Sequence, residues 1–515
     1  MCTLEADAAQ LGEDRSLPAL MIEDYPDFAQ RGVMLDVGQD QVPRVDTLYK
    51  LIDMLASWKI NQFQLYMEHT FAYQDHHEVW EDASPFTGQE ILELDAYCRQ
   101  RHIDLVPNQN SLGHMERWLK FDRYRDLSES PDGFPWREGA NSFTMPASTL
   151  NPLDPRSLEF VGSLYRELLP HFTSHYFNAG GDEPWELGKG RSKQAVEERG
   201  GRVYLDYLLG LYRLVKAQHR QMMFWADIIV HHPDLIKELP PDLIPMIWDY
   251  EPDRPKESDV AMVAAAVSEF YVCPGTNTWR SIAGRTDAAI SNQRTAAQLG
   301  MKYQAAGYLN TDWGDAGYWQ PLVTSYLGFA HGAAQAWNHK GEFDLVRALD
   351  LFAFHDRAGV LGKLAYDLGN VYRITSPEIN IQVLFNALQV PHTRLQAEIS
   401  HLRERFPQIK LDAATLRKVI GRIAEISAPL AQADLRDEDA EQNRAEFRQA
   451  ADLLNYSAKR LLSFLGEPVA TPEQMRSEFD RLIAQQRKLW LGRHRLGGLK
   501  RLSAVYAVEF AYPRH

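Results

Sequence analysis

Cysteine is scarce in this chain: Cys2, Cys98 and Cys273 are spread over 515 residues. So few thiols, so far apart, exclude a disulfide framework or a zinc cluster and point to a reducing compartment, so a cytoplasmic location is expected. A concentrated Lys/Arg run is also missing, and the formal charge is −15. Nucleic acid and anionic membrane both need a basic footprint and are excluded as partners on that ground. No apolar stretch approaches the roughly 20 residues of a membrane helix. The opening Met1-Cys2-Thr3-Leu4-Glu5-Ala6-Asp7 has neither a basic nor an apolar region before Cys2, so it does not read as an export or lipoprotein signal. His69, His76, His77 and the pair His231-His232 match no common metal-ligand spacing, so neither a metal nor a cofactor is expected. Internal repeats and low-complexity tracts are absent as well. A neutral or amino-sugar ligand suits the charge balance.

What is present is a hydrophobic fraction of 45%, enough for a sizeable core in two or more packed units. Between Arg31 and about Lys340, short apolar runs alternate with longer amphipathic segments. The runs are Gly32–Val37, Gln62–Met67, Asp104–Pro107, Tyr176–Gly180, Met222–Ala226, Ile244–Trp248, Phe270–Cys273 and Tyr303–Tyr308. Eight strands, followed by helices such as Val45–Trp58 and Asp287–Leu299, predict an α/β fold of the (β/α)8 TIM-barrel type. The polar, Pro- and Gly-rich stretch His114–Pro155 predicts an insertion over the barrel mouth. After about Gly341 the strand signal disappears, and Arg394–Arg405, Ala413–Ile426 and Asp434–Leu462 predict helices. The expected organisation is a short extension (1–30), a catalytic barrel (31–340) and a C-terminal α-helical domain (341–515). The charge run Arg436–Glu441 reads as a solvated helix face.

Acid–base chemistry at a barrel mouth needs carboxyl groups at the C-terminal ends of strands. Asp182-Glu183 closely follow the run His175-Tyr176-Phe177, and Gly180-Gly181 let the backbone bend so that both acids reach the cavity. Adjacent carboxylates make a poor conventional glycosidase pair, because acid and nucleophile must lie on opposite sides of the anomeric carbon, roughly 5 Å apart. One of them needs another task. If the substrate carries a 2-acetamido group, its carbonyl oxygen can attack the anomeric carbon. Glu183 would then be the acid and later the base, its pKa raised by Asp182 and an aromatic wall. Asp182 would hold the acetamido N–H and stabilise an oxazolinium intermediate. Tryptophans at strand ends, Trp225, Trp248 and Trp313, suit the apolar face of a pyranose.

Gly180-Gly181-Asp182-Glu183 after the fourth strand, with Arg31-Gly32-Val33-Met34-Leu35-Asp36-Val37 opening the first, resembles glycoside hydrolase family 20, the β-N-acetylhexosaminidases, in its shorter single-barrel branch. The resemblance covers the barrel. It implies a retaining exo-β-N-acetylhexosaminidase that removes terminal β-linked GlcNAc and/or GalNAc by substrate-assisted catalysis. Its partners would be N-acetylhexosamine-terminated glycans or oligosaccharides, and a homodimer is compatible with this. By the same resemblance, Asp182 and Glu183 are catalytic. The aromatic residues enclose the acetamido group and floor the ring, and Asp315 takes the outer hydroxyls. Arg31 grips the hydroxyls at C3 and C4, and His114 bonds near the acid with Glu68 as its carboxylate partner.

The sequence also departs from the family. Gly38-Gln39-Asp40 stands where Ser-Arg-His is usual, and Trp279 stands where a tyrosine often bonds the acetamido oxygen. Two other readings stay open: a barrel glycosidase acting on plain hexosides with Asp227, Asp249 or Asp315 as protein nucleophile, and a non-catalytic carbohydrate-binding protein.

Overall fold

The computed structural model describes residues 21, 23–39, 41–138, 141–377, 382–390 and 394–499. Cys2, Asp40 and most of the expected 1–30 extension lie outside the described residues. The apolar runs form strands because both of their faces are covered, as the unbroken burial of Gln62–Tyr66 illustrates. Eight strands result: β1 (Gln30–Asp36), β2 (Gln62–Tyr66), β3 (Asp104–Val106), β4 (Tyr176–Asn178), β5 (Gln221–Trp225), β6 (Ile244–Trp248), β7 (Tyr271–Cys273) and β8 (Gly307–Asp312). All pair in parallel in the order β3-β2-β1-β8-β7-β6-β5-β4. The two outer strands meet just past β3. Asn178 N donates to Pro107 O (2.9 Å) and Gln109 N donates to Asn178 O (3.1 Å), which closes the sheet into a (β/α)8 barrel.

The eighth strand lies further along the chain than its apolar run suggests. Tyr303 closes the helix Thr286–Lys302, Gln304 turns with φ 58°, and the strand begins only at Gly307. The run Tyr303–Tyr308 thus straddles a helix end and a strand start. Helices α1 (Val45–Ser57), α2 (Gly88–Arg99), α3 (Pro155–Leu168), α4 (Arg202–Ala217), α5 (Glu257–Ala264), α6 (Thr286–Lys302) and α7 (Tyr326–Trp337) wrap the barrel. In α1 the buried positions Leu48, Leu51, Ile52 and Leu55 share one face, the spacing that seats a helix on a sheet. Thr87 and Glu90 cap α2 reciprocally, and Asp154 caps α3 just before Pro155.

Inside the barrel, Met34, Val106, Met223, Met246, Tyr271 and Leu309 form a packed plug. Gln62, Gln64 and Asn178 satisfy one another beside it, with Asn178 Nδ2 donating to Gln64 Oε1 at 3.1 Å. Above the mouth, the stretch after β3 carries short helices at Glu116–Leu119 and Asp122–Arg125 and an antiparallel strand pair, Phe134–Glu138 with Asn141–Met145. After Asp312 the described residues hold only helices, and the outer core continues from the barrel helices into them without a break. The expected helix Asp434–Leu462 starts later, at Ala440. Asp434 and Leu435 are diverted into contacts with Asp356 and Arg357. Asp439 of the acidic run is not a solvated face: it binds both Lys50 of α1 and Arg493, each at 2.6 Å. Among the described residues no helix is long and apolar enough to cross a membrane.

Candidate active site

The site is built where strands end. β4 ends at Asn178, whose side chain accepts from Gly180 N (3.0 Å) and starts a sharp turn. Gly180 and Gly181 both adopt positive φ, and a Cβ on Gly180 would meet Asn110 Oδ1 at 2.0 Å, so only glycine passes here. The turn delivers Asp182 and Glu183 into the mouth, Glu183 itself at φ 43°. From the other side comes the segment after β3, and it can approach because Gly113 lies flat against Asp182. A Cβ there would sit 2.3 Å from the Asp182 carbonyl oxygen. The next residue, His114, is also left-handed at φ 57°. Two non-glycine residues in this region, at the same spot, mark a geometry held by its surroundings.

His114 is the hub. Its Nε2 lies 3.2 Å from Asp182 Oδ2 and 3.4 Å from Glu183 Oε2, while Nδ1 faces Glu68 Oε1 at 3.7 Å. Burial works against a charged imidazole, yet the Asp182 carboxylate, helped by Glu183 and Glu68, holds its pKa well above the ordinary histidine value. The surrounding carboxylates therefore favour the charged imidazole of His114, with Nε2 turned toward Asp182 and Glu183 and Nδ1 toward Glu68. The acidic partner expected at Glu68 is in place, two residues past the end of β2.

Asp227, two residues beyond β5, accepts from Glu183 N through Oδ2 (3.1 Å) and so braces the strained backbone of the acid. Burial, reinforced by the Asp182 and Glu183 carboxylates, pushes its carboxyl well above the usual range. Bonded to the Glu183 backbone N–H and disfavoured as a carboxylate by burial and two neighbouring acids, Asp227 is poorly placed to act as a nucleophile. Asp249 pairs with Arg254 (3.9 Å), its backbone oxygen held by Asn292. Asp315 sits in the loop after β8. Burial raises its pKa, Arg280 pulls the other way, and Glu183 and His114 are both close enough to influence it.

The expected tryptophans gather as well, but around a residue the sequence did not single out. Tyr250, two positions past the end of β6, stacks on Trp248 (5.2 Å between ring centres), meets Trp279 edge-on (4.9 Å) and accepts from Trp313 Nε1 through its hydroxyl (2.8 Å). Trp313 in turn touches Tyr66 (4.7 Å) and Trp225 (5.9 Å). Among the buried polar atoms of the site that no hydrogen bond satisfies are Asp182 Oδ1 and Asp227 Oδ1, both carboxyl oxygens, and Trp225 Nε1, a donor. Unpaired buried polar groups are costly, and a site that retains both acceptors and a donor is shaped for a ligand with complementary groups.

A further link was missed in the sequence. Asp36, the last residue of β1, accepts from Gly38 N (2.7 Å) and from Gly314 N (2.9 Å), and its backbone oxygen accepts from the Tyr318 hydroxyl. It thereby latches the loop carrying Trp313 and Asp315. Burial, with Asp315 adding to it, raises its pKa to about 7. A lone acid closing an otherwise apolar strand was the available signal.

Arg31 is a correction. It lies at the start of β1, on the face opposite the mouth. Its guanidinium donates to the backbone oxygens of Phe28 (2.8 Å), Ala29 (3.1 Å) and Lys59 (2.8 Å) and lies over the Trp337 ring. It closes the bottom of the barrel and cannot reach a sugar at the top. His76, one of the clustered histidines, is bound to the Tyr124 hydroxyl (2.6 Å).

A family model described as "Glycosyl hydrolase family 20, catalytic domain" matches residues 28–312. Similar curated proteins include a beta-hexosaminidase of Akkermansia muciniphila, 28% identical over 249 residues that make up 43% of this chain and 50% of the relative. Human hexosaminidase D is 25% identical over 266 residues, 50% of this chain and 51% of the relative. The chain thus spans about half the length of these curated relatives. Among solved structures, a Flavobacterium johnsoniae chitobiase shares the fold with a TM-score of 0.53 at 17% identity, covering 91% of this chain and 79% of that one. A Vibrio harveyi exo β-N-acetylglucosaminidase, solved with N-acetylglucosamine, gives 0.51 at 16% identity over 64% of this chain and 58% of that one. These two likenesses concern the fold alone. The family-model match runs from just before the first strand to the last residue of the eighth, across the turn that carries Asp182 and Glu183: the chain belongs to glycosyl hydrolase family 20.

Proposed function

We propose that the protein is a retaining exo-β-N-acetylhexosaminidase that removes terminal β-linked GlcNAc and/or GalNAc with the substrate's own acetamido group as nucleophile. One observation carries the reading. Asp182 and Glu183 share the single imidazole of His114 instead of facing each other across an anomeric carbon, and the buried Asp182 Oδ1 and Trp225 Nε1 stand without a hydrogen-bond partner. An acetamido group supplies the complementary N–H and C=O.

In this mechanism Glu183 protonates the glycosidic oxygen as the acetamido oxygen attacks C1 from the opposite face, and the C1–O bond breaks. Asp182 accepts the amide N–H and its charge balances the oxazolinium. Glu183 then takes a proton from water, which opens the ring with overall retention. Trp225 Nε1 and the Tyr250 hydroxyl are the candidates for the amide oxygen, the latter in place of the tyrosine for which Trp279 stands. With Arg31 at the closed end, Asp315 remains to accept from the outer hydroxyls. The catalytic unit proposed is 31–340, with the helical remainder as support, and the few, widely spaced cysteines support a reducing, cytoplasmic setting. Release of free N-acetylhexosamine places the reaction in carbohydrate metabolism.

The test is turnover of the paired 4-nitrophenyl β-N-acetylglucosaminide and β-N-acetylgalactosaminide. Hydrolysis of at least one, blocked by a thiazoline analogue of the bicyclic intermediate, is expected. No turnover of either would overturn the reading.

A further inference from the structure

The aromatic contacts at the mouth form a line, and the acid interrupts it. On one side lie Trp225, Trp248, Tyr250 and Trp313, whose contacts end at Tyr66. Tyr66 touches the edge of His114 (6.3 Å), and His114 holds Glu183. Beyond His114 the line resumes. Trp185, two residues after the acid and tied to it by a Trp185 N to Glu183 O hydrogen bond (2.7 Å), meets His114 edge-on at 5.8 Å. Trp136, on the antiparallel strand pair over the mouth, lies 5.6 Å from Trp185. Phe143 stands directly opposite Trp136 in that pair and is 42% exposed, so a large apolar ring on the same face of the ribbon is left uncovered.

We propose that Trp185 and Trp136, with Phe143 at the rim, form a platform for the leaving-group sugar, so that the enzyme selects a pyranose aglycone. This rests on the exo-hydrolase reading above. An acid that protonates the bond between two sugars sits at their boundary. Rings on one side of Glu183 floor the sugar that is cleaved off, so rings on the other side face the sugar that leaves. Trp185 and Trp136 are half-buried and keep surface free for stacking. The chemistry recognised is the apolar face of a β-linked pyranose. The strand pair is anchored beside the acid rather than hanging free: Glu186, three residues after Glu183, accepts from Ser148 N (2.8 Å) and Ser148 Oγ (2.9 Å), just past the second strand of the pair.

The experiment compares two substrates of the N-acetylhexosamine that the wild type hydrolyses: its methyl β-glycoside and its β-1,4-linked disaccharide with N-acetylglucosamine. Both have alkoxide leaving groups, so the ratio of their kcat/KM values reads the aglycone contact. We expect the wild type to favour the disaccharide and Trp136→Ala to lower that ratio about fivefold or more, in keeping with the strength of a ring contact. Trp136→Phe, which keeps an apolar face and guards against a folding defect, is expected to retain most of it. An unchanged ratio in Trp136→Ala, or no preference in the wild type, would overturn the platform and leave the hydrolase reading intact. A wild type inactive on both substrates would overturn both.

Discussion

Arg31 and Asp36, near the two ends of β1, lie five residues apart, about 16 Å along a strand, and their surroundings are built on opposite principles. At the bottom, Arg31 is committed to the barrel itself: Nε and Nη1 bond three backbone oxygens and the guanidinium lies over the Trp337 ring. At the top, Asp36 belongs to a crowd of carboxyls that includes Asp182, Glu183, Asp227 and Asp315, with the His114 imidazole, two left-handed residues and unpaired buried atoms among them. The bottom contributes stability and the top gives it up. A barrel can hold a strained, charge-crowded mouth because the other face is satisfied.

That contrast can be broken residue by residue. The largest effect is expected from Glu183→Gln, which should lower kcat on an alkyl glycoside by about 1,000-fold, within the range for a lost general acid. A small effect would mean that proton transfer lies elsewhere. Next comes His114→Ala, which leaves Asp182 and Glu183 without their shared cation. A loss on the order of 100-fold in kcat/KM is expected, as for breaking a buried charge pair. The pH dependence has a definite sign. Because the folded pKa of His114 is raised, its contribution to stability is complete below the ordinary histidine value and is lost as pH rises through the folded one. The thermal midpoint of the wild type should therefore fall on the alkaline side more steeply than that of His114→Ala.

Asp36→Asn is expected to cost about tenfold in kcat/KM, because an amide can accept from only one of Gly38 N and Gly314 N and a buried N–H is left over. Since Asp36 titrates at about 7, activity should rise through that pH as the ionised carboxylate grips Gly314, and the limb should vanish in the variant. The smallest kinetic effect belongs to Arg31→Met. We expect about 1–3 kcal/mol less stability from the orphaned carbonyl oxygens, read as a lower urea midpoint, with KM unchanged. A raised KM would return Arg31 to the pocket.

Much of this was legible in the sequence. Strands buried on both faces leave continuous apolar runs, so all eight could be counted, and Gly180-Gly181 announced a turn that side chains would block. Position within the strand misled the assignment of Arg31. Membership of a motif says nothing about which end of the barrel a residue occupies, and the rise of the strand separates Arg31 from Asp36 completely. Tyr250 was hidden for a different reason. Its role depends on a loop folding back so that one ring meets Trp248, Trp279 and Trp313 at once, and no periodicity encodes that. The eighth strand slipped because Tyr303 at a helix end looks as apolar as the strand that follows.

The most direct measurement compares kcat/KM for 4-nitrophenyl β-N-acetylglucosaminide or β-N-acetylgalactosaminide, whichever is turned over, with the glycoside of the same configuration carrying a hydroxyl in place of the acetamido group. If the pocket beside Asp182 exists to position that amide as the nucleophile, we expect a preference of at least about 1,000-fold for the acetamido substrate, the scale of a well-oriented intramolecular nucleophile. Equal rates would contradict it and return the search to a protein nucleophile.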